Sequence, residues 1–209
     1  MAQAKRRKTT AKAKPASRAP AADLDGRAIE SALRMAVERG WRNVTLAAIA
    51  ADCGVTLAEL YRRYPSRAAI LAGLARQVDA AVLGGPAADA EESPRDRLFD
   101  AMMRRYDALK PYREGIARIL ADAPGDPLAL LCLCGQARRS MAWMLEAAGI
   151  PSGGLAGAMK AKGLGLIHLA VLRTWLNDDS DDQAKTMAAL DTALRRIEPV
   201  ARSLFREVS

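Results

Sequence analysis

The sequence predicts an all-α protein of about nine helices, and three observations carry that prediction. Alanine and leucine dominate its 209 residues and only nine are aromatic (three Trp, four Tyr, two Phe), a composition that favours helix over strand. From Leu24 onward apolar residues recur at intervals of three and four, and no stretch alternates as a half-buried strand would. Serine, threonine, proline and glycine fall between the periodic runs, where helices start and stop. Half of the residues are hydrophobic, enough for a substantial core, and there are no internal repeats.

The first run places Ile29, Ala32, Leu33, Ala36 and Val37 on one face and stops at Gly40. Trp41-Arg42-Asn43-Val44 is a connector, and Thr45 is a good N-cap for a short helix whose apolar face is Leu46, Ile49, Ala50 and Cys53. Gly54 breaks that helix, and Thr56 caps a second short one through Leu57, Leu60 and Tyr61. Pro65-Ser66 ends it and caps a longer helix carrying Ile70, Leu71, Leu74, Val78 and Val82. Residues 84–92, GGPAADAEE, are the clearest boundary in the chain. Ser93-Pro94 then supplies a cap and a first-turn proline to a helix with Leu98, Met102, Tyr106 and Leu109 on one face. Pro111 opens a helix to about Ala123, and residues 124–127 separate it from a long helix over 128–148. A loop at 149–154 precedes a helix to about Asn177 with Leu164, Ile167, His168, Val171, Leu172 and Trp175. Ser180 caps the last helix, lined by Met187, Leu190, Leu194 and Ile197, which Pro199 is expected to bend or break.

Charge is unevenly placed. Of 32 basic residues seven (Lys5, Arg6, Arg7, Lys8, Lys12, Lys14, Arg18) fall within 1–22, where there is no acid. The other 25 nearly cancel the 24 acidic residues, so the arm supplies almost all of the net +8. Such a segment buries too little apolar surface to fold, and it reads either as a disordered phosphate-attracting arm or as a merely solubilising one. The expected organisation is therefore 1–22 basic arm, 23–83 first helical unit and 93–209 second helical unit. Three cysteines and no signal-peptide pattern point to a reducing, cytoplasmic setting, and the uncharged apolar stretch 163–172 is too short to span a bilayer.

Two short helices joined by a tight glycine-containing turn fit helix-turn-helix geometry, in which the N-terminal residues of the second helix reach base edges. TLAAIAADCGVTLAELYRRYPSRAAIL, Thr45 to Leu71, resembles the DNA-binding segment of the tetracycline-repressor (TetR) family of transcriptional regulators. The likeness includes the Gly40-Trp41 turn, Ile49-Ala50, Gly54-Val55-Thr56, Leu60-Tyr61 and Tyr64-Pro65-Ser66, with Arg67 where the family usually has lysine. The resemblance implies a DNA-binding set of Thr45, Thr56, Leu57, Glu59, Tyr61, Tyr64 and Arg67, with double-stranded DNA as partner and no cofactor. Thr45, Tyr61, Tyr64 and Arg67 would meet phosphate, while Thr56, Leu57 and Glu59 would face the groove; the ring of Tyr61 has packing as its other reading. Base-edge chemistry in Thr-Leu-Ala-Glu-Leu is thin: Leu57 and Ala58 offer contact only to thymine methyls, and Glu59 only an acceptor for cytosine N4.

The same resemblance implies that the second unit holds a ligand pocket and that its last two long helices pair across a two-fold axis, making a homodimer. Gly157, Gly163 and Gly165 then fit a close helix–helix seam, or else the helix is shorter than drawn. For an unidentified apolar or amphipathic effector the candidate contacts are Met102, Tyr106, Met141, Met144, His168 and Trp175, each of which also reads as ordinary core. Thr174 to Leu194 is also similar to the C-terminal stretch of TetR-fold lipid-binding factors of ubiquinone biosynthesis, which implies the alternative of an isoprenoid-binding protein with little specific DNA binding. Cys132 and Cys134 point apart on a helix and share no metal, and Asn177–Asp182 lacks the spacing of a calcium loop and reads as helix capping. No nucleophile elbow, paired histidine motif or phosphate loop is present, so no enzyme is expected. The expectation is a sequence-specific transcriptional regulator, a ligand-responsive repressor on a palindromic operator.

Overall fold

The computed structural model describes residues 21–123 and 127–205, with side chains described over 24–123 and 134–197. Within them the chain forms nine α-helices, two single-turn 3-10 segments and no strand. α1 (Ala21–Arg39) leads through a 3-10 turn (Trp41–Asn43) to α2 (Leu46–Asp52), α3 (Leu57–Arg63) and α4 (Arg67–Leu83). α5 (Pro94–Leu109) runs through a second 3-10 turn (Lys110–Tyr112) into α6 (Arg113–Asp122), and α7 (Pro127–Ala147), α8 (Gly154–Leu176) and α9 (Ala184–Phe205) complete the bundle. The all-α expectation stands. Residues 1–20 of the expected basic arm, and the side chain of Cys132, lie outside the described residues.

Caps read from the sequence hold these helices. The hydroxyl of Ser66 accepts the Ala69 amide at 3.1 Å and that of Ser93 accepts the Asp96 amide at 3.2 Å. Ser180 and Asp182 accept the first amide of α9, and Asp178 accepts the Thr186 amide at 2.8 Å and its hydroxyl at 2.6 Å, so the acidic 177–182 run is a capping segment. α9 continues through Pro199, so of the expected bend or break the break does not occur. Losing one amide donor removes a single intrahelical bond, and the apolar side of α9 upstream (Leu190 0% exposed, Leu194 2%) anchors the helix that carries it.

One continuous core runs from Ile29, Leu33, Trp41, Ile49, Leu60 and Ile70 in the first helices to Met102, Met141, Leu164, Trp175 and Leu190 in the bundle. α4 joins the two. It packs against α1 near one end, and at the other buried Asp79 pairs with Arg105 of α5 while accepting the Ser140 hydroxyl of α7 at 2.7 Å. Two charges buried together are tolerated because they neutralise and hydrogen-bond each other, whereas removing one partner leaves an uncompensated charge costing about 3–5 kcal/mol. α6 packs on α1 through Gly115, where a β-carbon would stand 2.8 Å from Cβ of Leu33.

α8 is apolar on two sides. Ala161, Leu164, Ile167, Val171 and Trp175 are buried, while Leu155, Met159, Leu166 and Leu169 are 47–81% exposed. By length and composition α8 is apolar enough to cross a membrane, further than the stretch 163–172 implies, and 33% of that window is buried inside the fold. Gly157 has a cause within the chain: the preceding loop folds back so that a β-carbon there would meet the Ser152 backbone at 2.0 Å.

The six effector candidates are all buried in the packed core. Met102, Tyr106, Met141 and Met144 are 0% exposed, and the Tyr106 ring stacks obliquely on both His168 and Trp175. The Tyr106 hydroxyl and Nδ1 of His168 share a hydrogen bond of 3.0 Å. Burial, with Arg105 nearby, pushes the His168 imidazole down to about 3, so it is neutral in the fold. The unfolded chain takes up a proton near pH 6.5 that the fold excludes. Stability therefore falls as pH drops through the window from about 6.5 to 3, by up to about 1.4 kcal/mol per pH unit. Denaturant unfolding of the wild type and of His168→Gln between about pH 7 and 4 checks this: the variant should show the shallower acid dependence, and parallel curves would remove His168 as its source.

Candidate nucleic-acid interface

α2 and α3 have two turns each, too short to persist alone, so every terminus needs a partner. Thr45 adopts an extended conformation and its hydroxyl accepts the Ala48 amide at 3.1 Å, starting α2 with Ile49 and Ala50 inward. Gly54, at φ 66°, ends α2. Its amide donates to Ala51 O and that of Val55 to Ala50 O, a paired closure that needs a left-handed residue at this point.

α3 opens on a reciprocal cap. The Thr56 hydroxyl accepts the Glu59 amide at 3.2 Å, and the Glu59 carboxylate accepts the Thr56 amide and hydroxyl, both at 2.9 Å. Leu60 is fully buried and roots α3 in the core, while Leu57 (50% exposed) and Tyr61 (63%) stand outward with Ala58 between them. The far end of α3 is gripped by Asp25 of α1. Arg63 makes a two-pronged ion pair with that carboxylate, and the Tyr64 hydroxyl donates to it at 2.9 Å. Arg63 and Tyr64 hold the Asp25 carboxyl below its usual range, and burial together with Asp25 pushes the Tyr64 phenol up to about 12.

The structure thus places the expected residues in two groups. Thr45, Thr56, Leu57 and Tyr61 are on the outer surface, and Glu59 is beside them but engaged in the cap. Tyr64 differs from expectation: its ring is 1% exposed, seated where a β-carbon on Gly73 would be 2.8 Å from its hydroxyl, and that hydroxyl is on Asp25 rather than turned to solvent. Arg67 lies half-buried against the Trp41 ring and donates to the carbonyls of Trp41 (2.6 Å) and Val44 (3.1 Å), tying the start of α4 to the turn before α2. Sequence reasoning missed Asp25, and it missed Asp122 of α6, whose carboxylate accepts the Trp41 amide at 2.7 Å. Both act on residues far away in the chain, where no local pattern signals them. Arg42, in the turn before α2, and Arg62, on α3, are exposed cations.

A capped, core-rooted second helix with an outward first turn is the construction of a helix-turn-helix reader. Residues 28–74 match the family model described as bacterial regulatory proteins, tetR family. This segment is a tetR-family domain. It runs from within α1 to the middle of α4 and contains every side chain of the interface except Asp25 and Asp122. The fold of the chain is similar to that of a TetR transcriptional regulator from Nitrosomonas europaea ATCC 19718, with TM-score 0.65 and 20% identity over 83% of this chain and 97% of that one. It is also similar to a TetR transcriptional regulator from Rhodococcus sp. RHA1, with TM-score 0.56 and 22% identity over 83% and 96%. No curated protein matches the chain. The TetR resemblance read from Thr45 to Leu71 stands, as does the arrangement of an N-terminal helix-turn-helix unit before a C-terminal helical one.

The cap carries a testable consequence. Glu59→Ala should lower stability by about 1 kcal/mol, the usual cost of a lost cap. Glu59→Gln keeps an acceptor oxygen and should lose much less. Chemical denaturation of the two variants checks this, and equal losses would assign Glu59 a role other than capping.

Proposed function

We propose that the protein is a sequence-specific DNA-binding transcriptional regulator that works as a homodimer, a ligand-responsive repressor on a palindromic site. The observation that carries this reading is α3 itself, buried at Leu60, capped at both ends and bare on the side where Leu57 and Tyr61 stand. In this reading Thr45 and Tyr61 offer hydroxyls to phosphate and Thr56 and Leu57 face the groove floor. Glu59 closes the helix start, and Tyr64 and Arg67 hold the reading helices from behind. The arm at 1–22 adds sequence-independent attraction to phosphate. The chain acts in the cytoplasm and performs no catalysis.

The second apolar side of α8 supports dimerisation. A helix buried on one side by its own bundle, with Leu155, Met159, Leu166 and Leu169 exposed on the other around Lys162, gains from a covering surface, and a second copy supplies one by two-fold symmetry. Two copies of α3 would then enter successive major grooves about 34 Å apart. An apolar or amphipathic effector would open the cluster around Met102, Tyr106, Met141, Met144, His168 and Trp175, and would act by favouring one spacing over another. No observation favours the lipid-binding alternative. The 174–194 segment that suggested it is occupied with structure: Trp175 donates to Gln183 at 3.0 Å, and Asp178 caps α9.

Selection of duplexes from fragmented genomic DNA by the full-length protein at about physiological salt tests the proposal. A few palindromic sites should be enriched, and uniform, salt-labile retention would overturn it. Deleting residues 1–22 should weaken binding chiefly at low salt and flatten the dependence of affinity on salt, whereas an identical salt curve would leave the arm without a role in binding. Leu166→Glu combined with Leu169→Glu should weaken the dimer at least about a hundredfold, since unpaired or like charges in an apolar interface cost several kcal/mol. Sedimentation should then show a helical monomer, and an unchanged dimer would place the interface elsewhere.

A further inference from the structure

The outward first turn of α3 has little left with which to form hydrogen bonds to a base. The Thr56 hydroxyl and the Glu59 carboxylate are bonded to each other and to each other's amides. Between them stand Leu57 and Ala58, both exposed and neither carrying a donor or acceptor. No Asn, Gln, Lys or Arg, the residues that read adenine or guanine by paired hydrogen bonds, occurs from Thr56 to Tyr61. Leu57 leaves half of its surface in water, one turn before the fully buried Leu60. On the major-groove floor the apolar feature is the 5-methyl group of thymine. The exposed cations Arg42, before α2, and Arg62, on α3 itself, suit an anionic duplex.

We propose that Leu57 is a specificity-determining residue that recognises thymine through its 5-methyl group, so that each half-site is read by apolar contact at the base rather than by paired hydrogen bonds. This rests on the reading of α3 as a DNA-binding helix. The tightened cap is then part of the specificity: with Glu59 turned back on Thr56, the first turn presents an apolar surface to the base edges.

The test uses the full-length protein and a duplex recovered by it from a randomised pool. Each thymine of that duplex is replaced in turn by deoxyuridine, which removes the methyl and keeps the pairing, and affinity is measured for the wild type and for Leu57→Ala. Leu57 is exposed, so truncating it leaves the core intact. At one symmetry-related thymine position the wild type should lose about fourfold per methyl, since burying one such group contributes about 0.8 kcal/mol and 1.4 kcal/mol is a factor of ten. Leu57→Ala should lose little at that position. A recovered duplex on which no deoxyuridine costs the wild type affinity, or costs both proteins equally, overturns the inference and leaves the DNA-binding proposal standing. A pool that yields no preferred duplex overturns both.

Discussion

A helix of two turns does not hold itself together, and much of the N-terminal half is organised around that constraint. α3 gains what it lacks from three directions. Leu60 roots it in the core, the Thr56–Glu59 cap closes its first turn, and Asp25 on α1 grips its last through Arg63 and Tyr64. Arg67 does the same for the approach to α2 by binding the carbonyls of the preceding turn. The result is a rigid two-turn presentation at the surface. It is bought by committing side chains that could otherwise have contacted DNA, namely Glu59, Arg63 and Tyr64.

The bundle solves a different problem. α8 has more apolar surface than its own fold covers, and what is left faces outward in line with the helix axis. α6 touches both ends of the molecule's logic. Arg113 donates to the carbonyls of Trp175 and Asp178 at the end of α8 and lies over the Trp175 ring, Gly115 lets α6 close on Leu33 of α1, and Asp122 holds the Trp41 amide. The core around Trp175 and the turn before α2 are thus joined by one ten-residue helix.

Much of this was legible in the sequence because it is local. Caps at Thr45, Thr56, Ser66 and Ser93 lie next to the helices they start, and the Gly54 turn is set by its own backbone. The helix order and the burial of His168 followed from spacing, and the reading segment from its resemblance to a known family. What was illegible is long-range or depends on fit. Asp25 meets Arg63 thirty-eight residues away, and Asp79 meets Arg105 across a helix pair. Tyr64 looked like a surface phenol until the slot at Gly73 received its ring. The need for glycine at 157 comes from the loop at Ser152, which folds against it. Pro199 carries a strong local rule that the rest of α9 overrides.

The central claim is that two copies of α3, set by the dimer, enter the major groove on one face of a duplex. A hydroxyl-radical footprint of the full-length protein on a duplex that it selects tests this most directly. The account predicts two symmetric protected patches centred about 34 Å apart, with the duplex axis of symmetry between them. A single patch, or even protection along the duplex that fades with salt, would contradict it.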